Sequence, residues 1–487
     1  MTRTIETPKW ILYRHTSNYE LIKAVAIDIK EKCMSNLSVE NHYQIQERLR
    51  ALDLYKERNP KRPLDAINHR INTLEYYMFG YEEVVKKQKR FIFSPLGNLF
   101  LKHVTNPEKL KFIFTTMLYA MQYEHPHGST PNQFQLYPFR LIFKLLRDSR
   151  LDYKLYNYEV EYYIVQVQEM NGESYETLVK RLLEFRQKDD SQIEKLFKED
   201  EHVFVNAAYE WEYYTKKLLE KADLWTAYDG ELICKLAHPV RKSTTKPTLR
   251  SVTRGYVVLN KALEDYVDIL LKSYSFDDNP LKLNDSERLR VDVIKEIYNF
   301  YPEELLNYIG EERDQATAKL LKLPKLIERY AENNKGKEAY LFEEVLVEGF
   351  NMFYNVEAIG IGGAGQTDIE AIYLTTNEKF AVDAKSTKNK LSNLSSGRLR
   401  SHREKIGAKY TIVLTPRYVP AVLEDIKGSP IVILRANTFS EYLYNHINNN
   451  IRDIDYSDLH DIISQNYGED ISQEVSDKTL EKFASVN

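Results

Sequence analysis

The 487-residue sequence predicts a multidomain α+β protein in which a mainly helical N-terminal region precedes an α/β domain. Glycine occurs only 17 times, and lysine, glutamate, leucine and tyrosine dominate, which favours helices over most of the chain. Short β-rich apolar runs separated by polar turns are concentrated between residues 369 and 434 instead. A chain of this length is expected to hold roughly two to four domains.

The composition along the chain predicts the order of these parts. Asn333–Lys337 is a polar, glycine-containing segment that marks entry into the α/β domain. After Ile451 there are nine acidic residues against three basic ones, which indicates either a solvated terminus or a cover for a basic surface. The predicted parts are two N-terminal regions at 1–147 and 148–258, a helical linker at 259–332, the α/β domain at 333–450 and an acidic C-terminal tail at 451–487.

Three N-terminal segments carry specific expectations. Lys86–Leu101 is a basic and aromatic run that predicts an extended piece, a turn at Pro95–Gly97 and a helix, or alternatively a helix end with solvated lysines. Leu136–Leu146 predicts an apolar helix that begins after a proline. Pro239–Gly255 predicts either a β-wing that contacts phosphates or a flexible connector.

The most informative pattern lies in the α/β domain. Thr367–Ala371 and Val382–Lys385 each place an aspartate in a β-rich run, and Thr375–Lys379 between them is a polar, turn-like segment. The two runs should therefore pair as a hairpin that brings Asp368 near Asp383. Because side chains alternate along a strand, Asp383 and Lys385 should point to the same side and Val382 into the core.

This pair of carboxylates has the chemistry of a divalent cation site. Hard cations such as Mg2+ bind oxygen ligands and keep several waters, and Lys385 could orient the attacking water or help to deprotonate it. The alternative is two strand-edge carboxylates beside a solvated lysine. Because Asp383 interrupts an apolar strand, where an unpaired charge is costly, a metal-dependent site for phosphodiester cleavage is favoured.

Several other patterns exclude functions. Gly360–Gly365 matches the glycine spacing of dinucleotide-binding loops, but it runs into a strand where that motif must open a helix. His125 and His127 lie in a polar loop without further metal-ligand candidates. The two cysteines, Cys33 and Cys234, fit neither a zinc site nor a disulfide framework and suit a reducing, cytoplasmic compartment. No apolar run approaches ~18 residues, so no membrane span is expected.

Basic residues are clustered although the net charge is −4. Lys379–Arg417 contains ten lysines and arginines against two acidic residues, and Arg241–Arg254 contains five and no acid. Because phosphate contacts act within about a Debye length, roughly 10 Å, local clusters matter more than the sum. Double-stranded DNA is the partner that these clusters predict.

The ordered set of elements resembles the PD-(D/E)xK nuclease core. A helix-like segment at Gly336–Phe350 is followed by the two aspartate strands, the basic segment Arg398–Arg403, and later strands at Lys409–Thr415 and Ile431–Leu434. The resemblance implies a metal site made by Asp368, Asp383, Ala384 and Glu343, with Lys385 as the catalytic lysine. Glu344 is the alternative helix carboxylate. The sequence departs from the commonest form of the motif in having Thr367, not proline, before the first aspartate and Asp383 where a glutamate is usual.

The whole layout, with Leu136–Arg140 and Pro95–Gly97, resembles the AlwI-type family of type IIS restriction endonucleases, which includes strand-nicking relatives. This resemblance implies a winged-helix-like recognition region and a Mg2+-dependent nuclease domain that cuts at a fixed distance from an asymmetric site. Cleavage of the second strand would need a transient homodimer or a separate small catalytic subunit. The alternatives are another defence or repair nuclease of this superfamily, or a DNA-binding subunit that needs a separate catalytic partner.

The predicted DNA contacts come from the basic clusters and from the AlwI-like segment. They are Lys86, Lys87, Lys89, Arg90, Arg140, Arg241, Lys242, Lys246, Arg250, Arg254, Arg398, Arg400 and His402.

Overall fold

The structure, a computed structural model, describes residues 9–13, 15–55, 64–128, 133–237, 248–312, 315–361, 366–449, 451 and 453–483. The chain forms two compact units. The N-terminal unit comprises Met1–Lys282 and Ile297–Glu311, and the C-terminal unit comprises Leu283–Glu296 and Glu312–Val486.

The N-terminal unit is mainly helical. Its first helices are α1 (Tyr19–Ile27), α2 (Val39–Ala51), α3 (Asp65–Tyr76), α4 (Pro95–Lys102), α5 (Pro107–Ala120), α6 (Pro138–Leu146), α7 (Asn157–Tyr162), α8 (Gly172–Arg186), α9 (Asp190–Glu199), α10 (Glu201–Glu210), α11 (Lys216–Lys221) and α12 (Glu264–Ser273). Its strands are β1 (Gly80–Val85), β2 (Gln88–Phe93), β3 (Lys154–Tyr156), β4 (Trp225–Tyr228), β5 (Leu232–Ala237), β6 (Leu249–Thr253) and β7 (Tyr256–Leu259). The expected apolar helix after Pro138 is α6.

The basic and aromatic run forms a β-hairpin. Strands β1 and β2 pair antiparallel, and the register from Gly80↔Phe93 to Val85↔Gln88 leaves Lys86 and Lys87 as a two-residue turn. The predicted turn at Pro95–Gly97 is wrong, because these residues are the first turn of α4. Proline suits the first position of a helix, and the Ser94 side chain accepts a hydrogen bond from the Gly97 N–H at 2.9 Å.

Two further sheets complete this unit. Strands β3, β7 and β4 form an antiparallel sheet in the order β3-β7-β4, and β5 pairs with β6. Strand β6 shows that the later part of the Pro239–Gly255 segment is paired in a hairpin, and its contact with phosphates stays a prediction. Residues 238–247 of that segment lie outside the described residues.

The predicted linker at 259–332 is divided between the two units. Helix α12 lies in the N-terminal unit, α13 (Arg290–Tyr298) contains a point where the chain passes between units, and α14 (Glu303–Ile309) lies in the N-terminal unit again. Helices α12 and α14 each bury apolar side chains in the N-terminal unit, such as Tyr266 and Leu305. They are therefore packed parts of that unit. The subdivision of the N-terminal unit at residue 147 stays a prediction.

The C-terminal unit is an α/β domain with a mixed sheet. Its remaining helices are α15 (Gln315–Leu320), α16 (Lys322–Ala331), α17 (Ala339–Phe350), α18 (Ser396–Ile406), α19 (Ala421–Ile426), α20 (Ala436–Asn448), α21 (Ser457–Gln465) and α22 (Ser472–Phe483). Its strands are β8 (Val356–Gly360), β9 (Ile369–Tyr373), β10 (Glu378–Ala384), β11 (Thr411–Thr415) and β12 (Ile431–Arg435).

The sheet order is β12-β11-β10-β9-β8. Strands β8, β9 and β10 are antiparallel neighbours, whereas β10, β11 and β12 run parallel, so the last three end at one edge of the sheet. Apolar side chains on one face form a large core with α16, α17 and α20 to α22. Val413, Ile431 and Ile433 face the other way and pack with residues of α18 and α19. The unit therefore has three layers, with the sheet in the middle.

The predicted acidic tail belongs to the folded core of this unit. Ile454, Tyr456, Leu459, Ile463 and Val475 are all at most 1% exposed. Helices α21 and α22 place acidic residues on their solvent side and apolar residues at the core. The prediction of a tail from the charge count alone is therefore wrong. Neither a solvated terminus nor a detachable cover describes residues 453–483.

None of the described helices is long and apolar enough to span a bilayer. Cys33 and Cys234 are both buried free thiols.

Candidate active site

The hairpin of β9 and β10 brings the two predicted aspartates together. The two strands pair antiparallel, and the last pair in the register is Val382↔Ile369. Asp368 immediately precedes Ile369 and Asp383 immediately follows Val382, so the two aspartates lie opposite each other where the ladder ends. Ile361 N–H donates to the Asp368 carbonyl at 2.9 Å and joins β8 to the same edge. The predicted hairpin and its polar turn are confirmed.

Two hydrogen bonds fix this end of the hairpin. The Ala384 N–H donates to Asp368 Oδ2 at 2.7 Å, which holds that carboxylate against the backbone of β10. The Thr367 hydroxyl, on a residue that is 2% exposed, donates to the Val382 carbonyl at 3.0 Å. A threonine before Asp368 therefore gives the strand crossing a hydrogen bond that the more usual proline cannot make.

Asp383 is a buried carboxylate that is paired with a lysine. Its residue is 2% exposed, and Lys385 Nζ forms an ion pair with Asp383 Oδ2. The same ammonium is 3.8 Å from Asp368 Oδ2. Asp383 Oδ2 nevertheless has no hydrogen bond of ordinary geometry within the described residues. Val382 is fully buried on the opposite side of β10, so the predicted alternation of side chains is confirmed.

The local field favours binding of a cation at this edge. Burial raises the pKa of Asp368, and the charge of Asp383 raises it further, against the opposing effects of Lys385 and the Ala384 N–H. Two carboxylates at one site repel each other, and a shared divalent cation relieves that repulsion.

The structure separates the two helix glutamates. Glu343 on α17 is half-buried, and its pKa is raised first by burial and then by the charge of Asp368. Glu344, the alternative, is exposed. Glu343 is therefore the helix carboxylate within electrostatic reach of the aspartate pair.

The donor set suits a small hard cation. No group of three or more His, Cys, Asp and Glu side chains in the described part of the chain is arranged to hold a metal ion, so Glu343 does not complete such a set. Mg2+ needs no third side chain, because it commonly takes one or two carboxylates and keeps its waters. Asp368, Asp383 and the main chain of Ala384 fit that requirement.

The basic segment after β10 is helix α18. Arg398 and Arg400 are exposed, and Arg400 also forms an ion pair with Glu404 at 2.7 Å. His402 is 8% exposed and lies on the buried side of the helix with Leu399 and Arg403. The segment therefore presents arginines to solvent and a histidine to the sheet.

The turn of the β1–β2 hairpin is exposed and basic. Lys86 and Lys87 are exposed and have φ angles of 50° and 64°, in the left-handed region that disfavours residues with a Cβ. Lys89 forms an ion pair with Glu82, and the Arg90 guanidinium donates to Gln88 at 3.4 Å. The stem of the hairpin is thus partly neutralised.

The prediction that Arg140 contacts DNA is wrong. Its guanidinium is 3% exposed and donates to the Tyr119 carbonyl, the Ser275 carbonyl and Asp278 Oδ2, each at 3.0 Å. It also lies 3.5 Å from the centroid of the Tyr137 ring. Nε and Nη1 of this buried guanidinium both donate inside the unit, so the side chain holds the fold together and does not face a phosphate.

The second basic cluster is only partly described. Arg241, Lys242 and Lys246 lie outside the described residues. Arg250 on β6 is half-buried and stacks over Tyr209, 4.0 Å from the ring centroid. Arg254 donates to Asp190 at 2.7 Å and to the Lys188 carbonyl at 3.0 Å, so its guanidinium is engaged within the unit.

The histidine loop is structural. His125 is 1% exposed, and its two ring nitrogens lie 3.0 Å from the backbone carbonyls of His127 and Tyr76. Burial lowers the pKa of His125 to about 3. His127 Nδ1 is 2.6 Å from Glu75. These contacts agree with the expected polar loop.

Two contributors to the site were not singled out from the sequence. The Ala384 N–H, which anchors Asp368, is a backbone group without a residue-type signal. Thr367 stands where a proline is usual in the motif, and its hydroxyl is the signal in the sequence for a side-chain hydrogen bond to the neighbouring strand.

Comparisons with known proteins place these observations in context. The family model described as type II restriction endonuclease HgaI, N-terminal domain, matches residues 5–274. The chain is 46% identical over 477 residues to the type II restriction enzyme HgaI of Avibacterium volantium, with 97% of each chain covered.

Solved structures give weaker similarity. The restriction endonuclease FokI shares 11% identity at a TM-score of 0.26, over 96% of this chain and all of that one. The BpuJ1 endonuclease binding domain, solved with modified DNA, shares 15% identity at a TM-score of 0.35, over 62% of this chain and 97% of that one. These TM-scores are too low to support a conclusion about fold or mechanism.

Proposed function

Because the chain belongs to the HgaI family of type II restriction endonucleases, we propose that it is a site-specific, Mg2+-dependent DNA endonuclease. The single observation that carries the proposal is the buried Asp383, held opposite Asp368 at the end of a strand pair and contacted by Lys385. A buried charge is costly in a fold, so its place at an open sheet edge favours a catalytic role over a structural one.

The order of elements in the C-terminal unit supports a PD-(D/E)xK nuclease. Helix α17 with Glu343 precedes three antiparallel strands, and a helix and two parallel strands follow them. In this reading the metal site consists of Asp368, Asp383 and Ala384, with Glu343 at its border. A bound Mg2+ would neutralise charge on the scissile phosphate and lower the pKa of a coordinated water.

The residues of the chain have separate tasks in this reaction. Lys385 contacts both carboxylates and would hold the attacking water in line with the phosphorus atom. The Ala384 N–H keeps Asp368 in place, so that the carboxylate does not have to reorganise during the reaction. Glu343 would hold outer-sphere waters, because its side chain is half-buried and senses the charge of Asp368.

The division of the chain supports a type IIS arrangement, in which recognition and cleavage are separate. The family match at residues 5–274 lies within the N-terminal unit, and the carboxylate site lies in the C-terminal unit. The N-terminal unit would read an asymmetric site in double-stranded DNA, with the β1–β2 hairpin as its wing. The AlwI-type likeness remains a hypothesis about this arrangement.

One catalytic centre cuts one strand at a time. Double-strand cleavage by this chain would therefore need a second copy in a transient homodimer or a separate catalytic subunit, and a lone chain would nick. Two buried free thiols are consistent with work in the reducing cytoplasm.

The test is cleavage of a supercoiled plasmid of known sequence by the full chain with Mg2+, followed by sequencing of the ends. We expect cuts at a constant offset from one asymmetric sequence. Asp383→Asn should abolish cutting, while an exposed control, Glu344→Gln, should cut like the wild type. Ends scattered without a common sequence would contradict site-specific cleavage, and equal cutting by Asp383→Asn would contradict the assigned centre.

A further inference from the structure

The buried histidine of α18 has no task in the reaction described so far. Alternate side chains of β10 point to opposite faces, so Asp383 lies on the face opposite to Val382 and its large core. Helix α18 packs against β10, and its inward side is formed by Leu399, His402 and Arg403. His402 therefore points toward the face of the sheet that carries the catalytic carboxylate.

Electrostatics indicate that the imidazole is close to both aspartates. The pKa of His402 is lowered, first by burial and then by the charge of Arg398, while Asp383 and Asp368 act in the opposite direction. Both carboxylates thus lie within electrostatic reach of the ring. A neutral imidazole has one N–H donor and one acceptor nitrogen.

One nitrogen of this ring makes no hydrogen bond to the part of the fold that the structure describes. His402 Nδ1 is buried and has no hydrogen-bond partner within the described residues. Both nitrogens of His125 lie against backbone carbonyls. His446 has its Nδ1 2.7 Å from the Tyr442 carbonyl and its Nε2 without a partner within the described residues, but that ring lies beside the aromatic rings of Tyr442 and Phe483. A buried polar atom without a partner costs about 1–3 kcal/mol, and His402 differs from His446 in lying within electrostatic reach of both aspartates.

His402 is also not part of a ready metal site. No set of three or more His, Cys, Asp and Glu side chains in the described part of the chain could hold an ion, so the ring does not join the two aspartates in one. The imidazole is within electrostatic reach of both carboxylates and does not bind a metal ion together with them. It is therefore suited to contact a substrate group bound above the two carboxylates. In the proposed function, that is the scissile phosphate.

We propose that His402 is a catalytic residue that donates a hydrogen bond to a non-bridging oxygen of the scissile phosphate. The inference rests on the proposed nuclease function. The bond would stabilise charge that grows on this oxygen in the transition state, and Lys385 would act on the attacking water from the other side. Loss of one preorganised donor of this type slows enzymes by about 10²–10³-fold.

The experiment uses the full chain and an oligonucleotide duplex that spans one cut site mapped on the plasmid. His402→Ala should lower the single-turnover cleavage rate by about 10²-fold while DNA affinity stays within about threefold. His402→Asn places an amide near the position of Nδ1 and should recover most of that rate. His446→Asn is the matched control, because it changes another buried histidine of the same unit and should leave the rate of the folded protein unchanged.

A second measurement separates contact from indirect effects. Sulfur replaces one non-bridging oxygen of the scissile phosphate, and the two diastereomers are tested separately. For one diastereomer, the slowing caused by sulfur should be smaller in His402→Ala than in the wild type; for the other it should be equal. Equal slowing for both diastereomers in both proteins would overturn the contact and leave His402 as a core residue.

The controls distinguish this inference from the proposed function. If the wild type does not cut DNA with Mg2+, the proposed function fails. If the wild type cuts, Asp383→Asn does not, and His402→Ala cuts at the wild-type rate, only the inference about His402 fails. If His402→Ala does not fold, the rate and sulfur effects of His402→Asn decide between the outcomes.

Discussion

The turn of the β1–β2 hairpin allows stability and DNA affinity to be tested against each other. Lys86 and Lys87 both have positive φ angles in a two-residue turn closed by Val85 and Gln88. Turns of this type prefer Asn-Gly, because asparagine tolerates the left-handed region and glycine has no Cβ. Two lysines in these positions are costly for the fold, and we infer that their charge at the exposed tip contacts a DNA phosphate.

The double variant Lys86→Asn/Lys87→Gly should therefore stabilise the protein. A residue with a Cβ costs about 1–2 kcal/mol in the left-handed region. Glycine offsets about 0.5–1 kcal/mol of this gain in stability, because it loses more conformational entropy on folding. The net gain of about 1–2 kcal/mol should raise the Tm by about 2–6 °C for a unit of this size.

The same variant should bind DNA less tightly. Each phosphate contact releases about 0.9 of a counterion, so the loss of two lysines should reduce the slope of log K against log salt by about 1.8. At about 0.1 M salt this corresponds to a loss of affinity on the order of 60-fold relative to 1 M salt. Binding is measured with the mapped duplex in Ca2+, which should support binding with little cutting because its coordination is looser than that of Mg2+.

A charge-only control separates the two effects. Lys86→Gln/Lys87→Gln keeps the strained backbone, so the salt slope should fall as before while the Tm stays at the wild-type value. A higher Tm in the Asn-Gly variant with an unchanged salt slope would refute the DNA contact. An unchanged Tm in that variant would refute the assignment of strain to the turn.

Three other perturbations have clear expected outcomes. Arg140→Ala should lower the free energy of unfolding in urea by about 3–5 kcal/mol, because it leaves Asp278 and two carbonyls without their partner, while the protein that remains folded binds DNA as the wild type does. Deletion of residues 451–487 should unfold the C-terminal unit, seen as a lost thermal transition; a folded truncated protein would contradict the packing of α21 and α22. Burial, and then the charge of Glu296, raises the pKa of Glu328 to about 8. Its stabilising contribution is complete below about pH 4.5 and is lost as the pH rises through 8. The urea midpoint of Glu328→Gln should therefore fall less between pH 5 and 9 than that of the wild type.

The features that sequence predicted well are those that depend on neighbouring residues. Alternation along Phe380–Lys385 predicted that Asp383 and Lys385 share a face, and a short polar turn made the hairpin with Ile369–Leu374 the simplest pairing. Proline at the start of Leu136–Leu146 predicted α6 for the same reason. The spacing of residues along a strand or helix is sufficient for such predictions, because the local backbone geometry decides which side chains share a face.

The features that sequence missed depend on distant parts of the chain. Arg140 looks like any basic residue on a helix, and only Tyr119 and Asp278, which are far from it in sequence, make it a core group. The count of charges hides the core of the C-terminal helices, although Leu459 and Ile463 are spaced four residues apart as core residues of a helix are. In the sequence, His402 lies among basic residues and resembles them. It is buried because it lies on the side of α18 that packs against the sheet.

The use of cations within the units bears on specificity. The chain has 68 lysines and arginines, yet two arginines that the sequence predicts as DNA contacts are engaged internally, Arg254 with Asp190 and Arg140 with Asp278. Attraction between protein and phosphate is blind to sequence, so each cation that is committed to the fold removes one contact that would bind any duplex equally. The net charge of −4 acts in the same direction. We therefore expect weak binding to random DNA, and cleavage should depend on the few exposed cations together with contacts to bases that only the correct site provides.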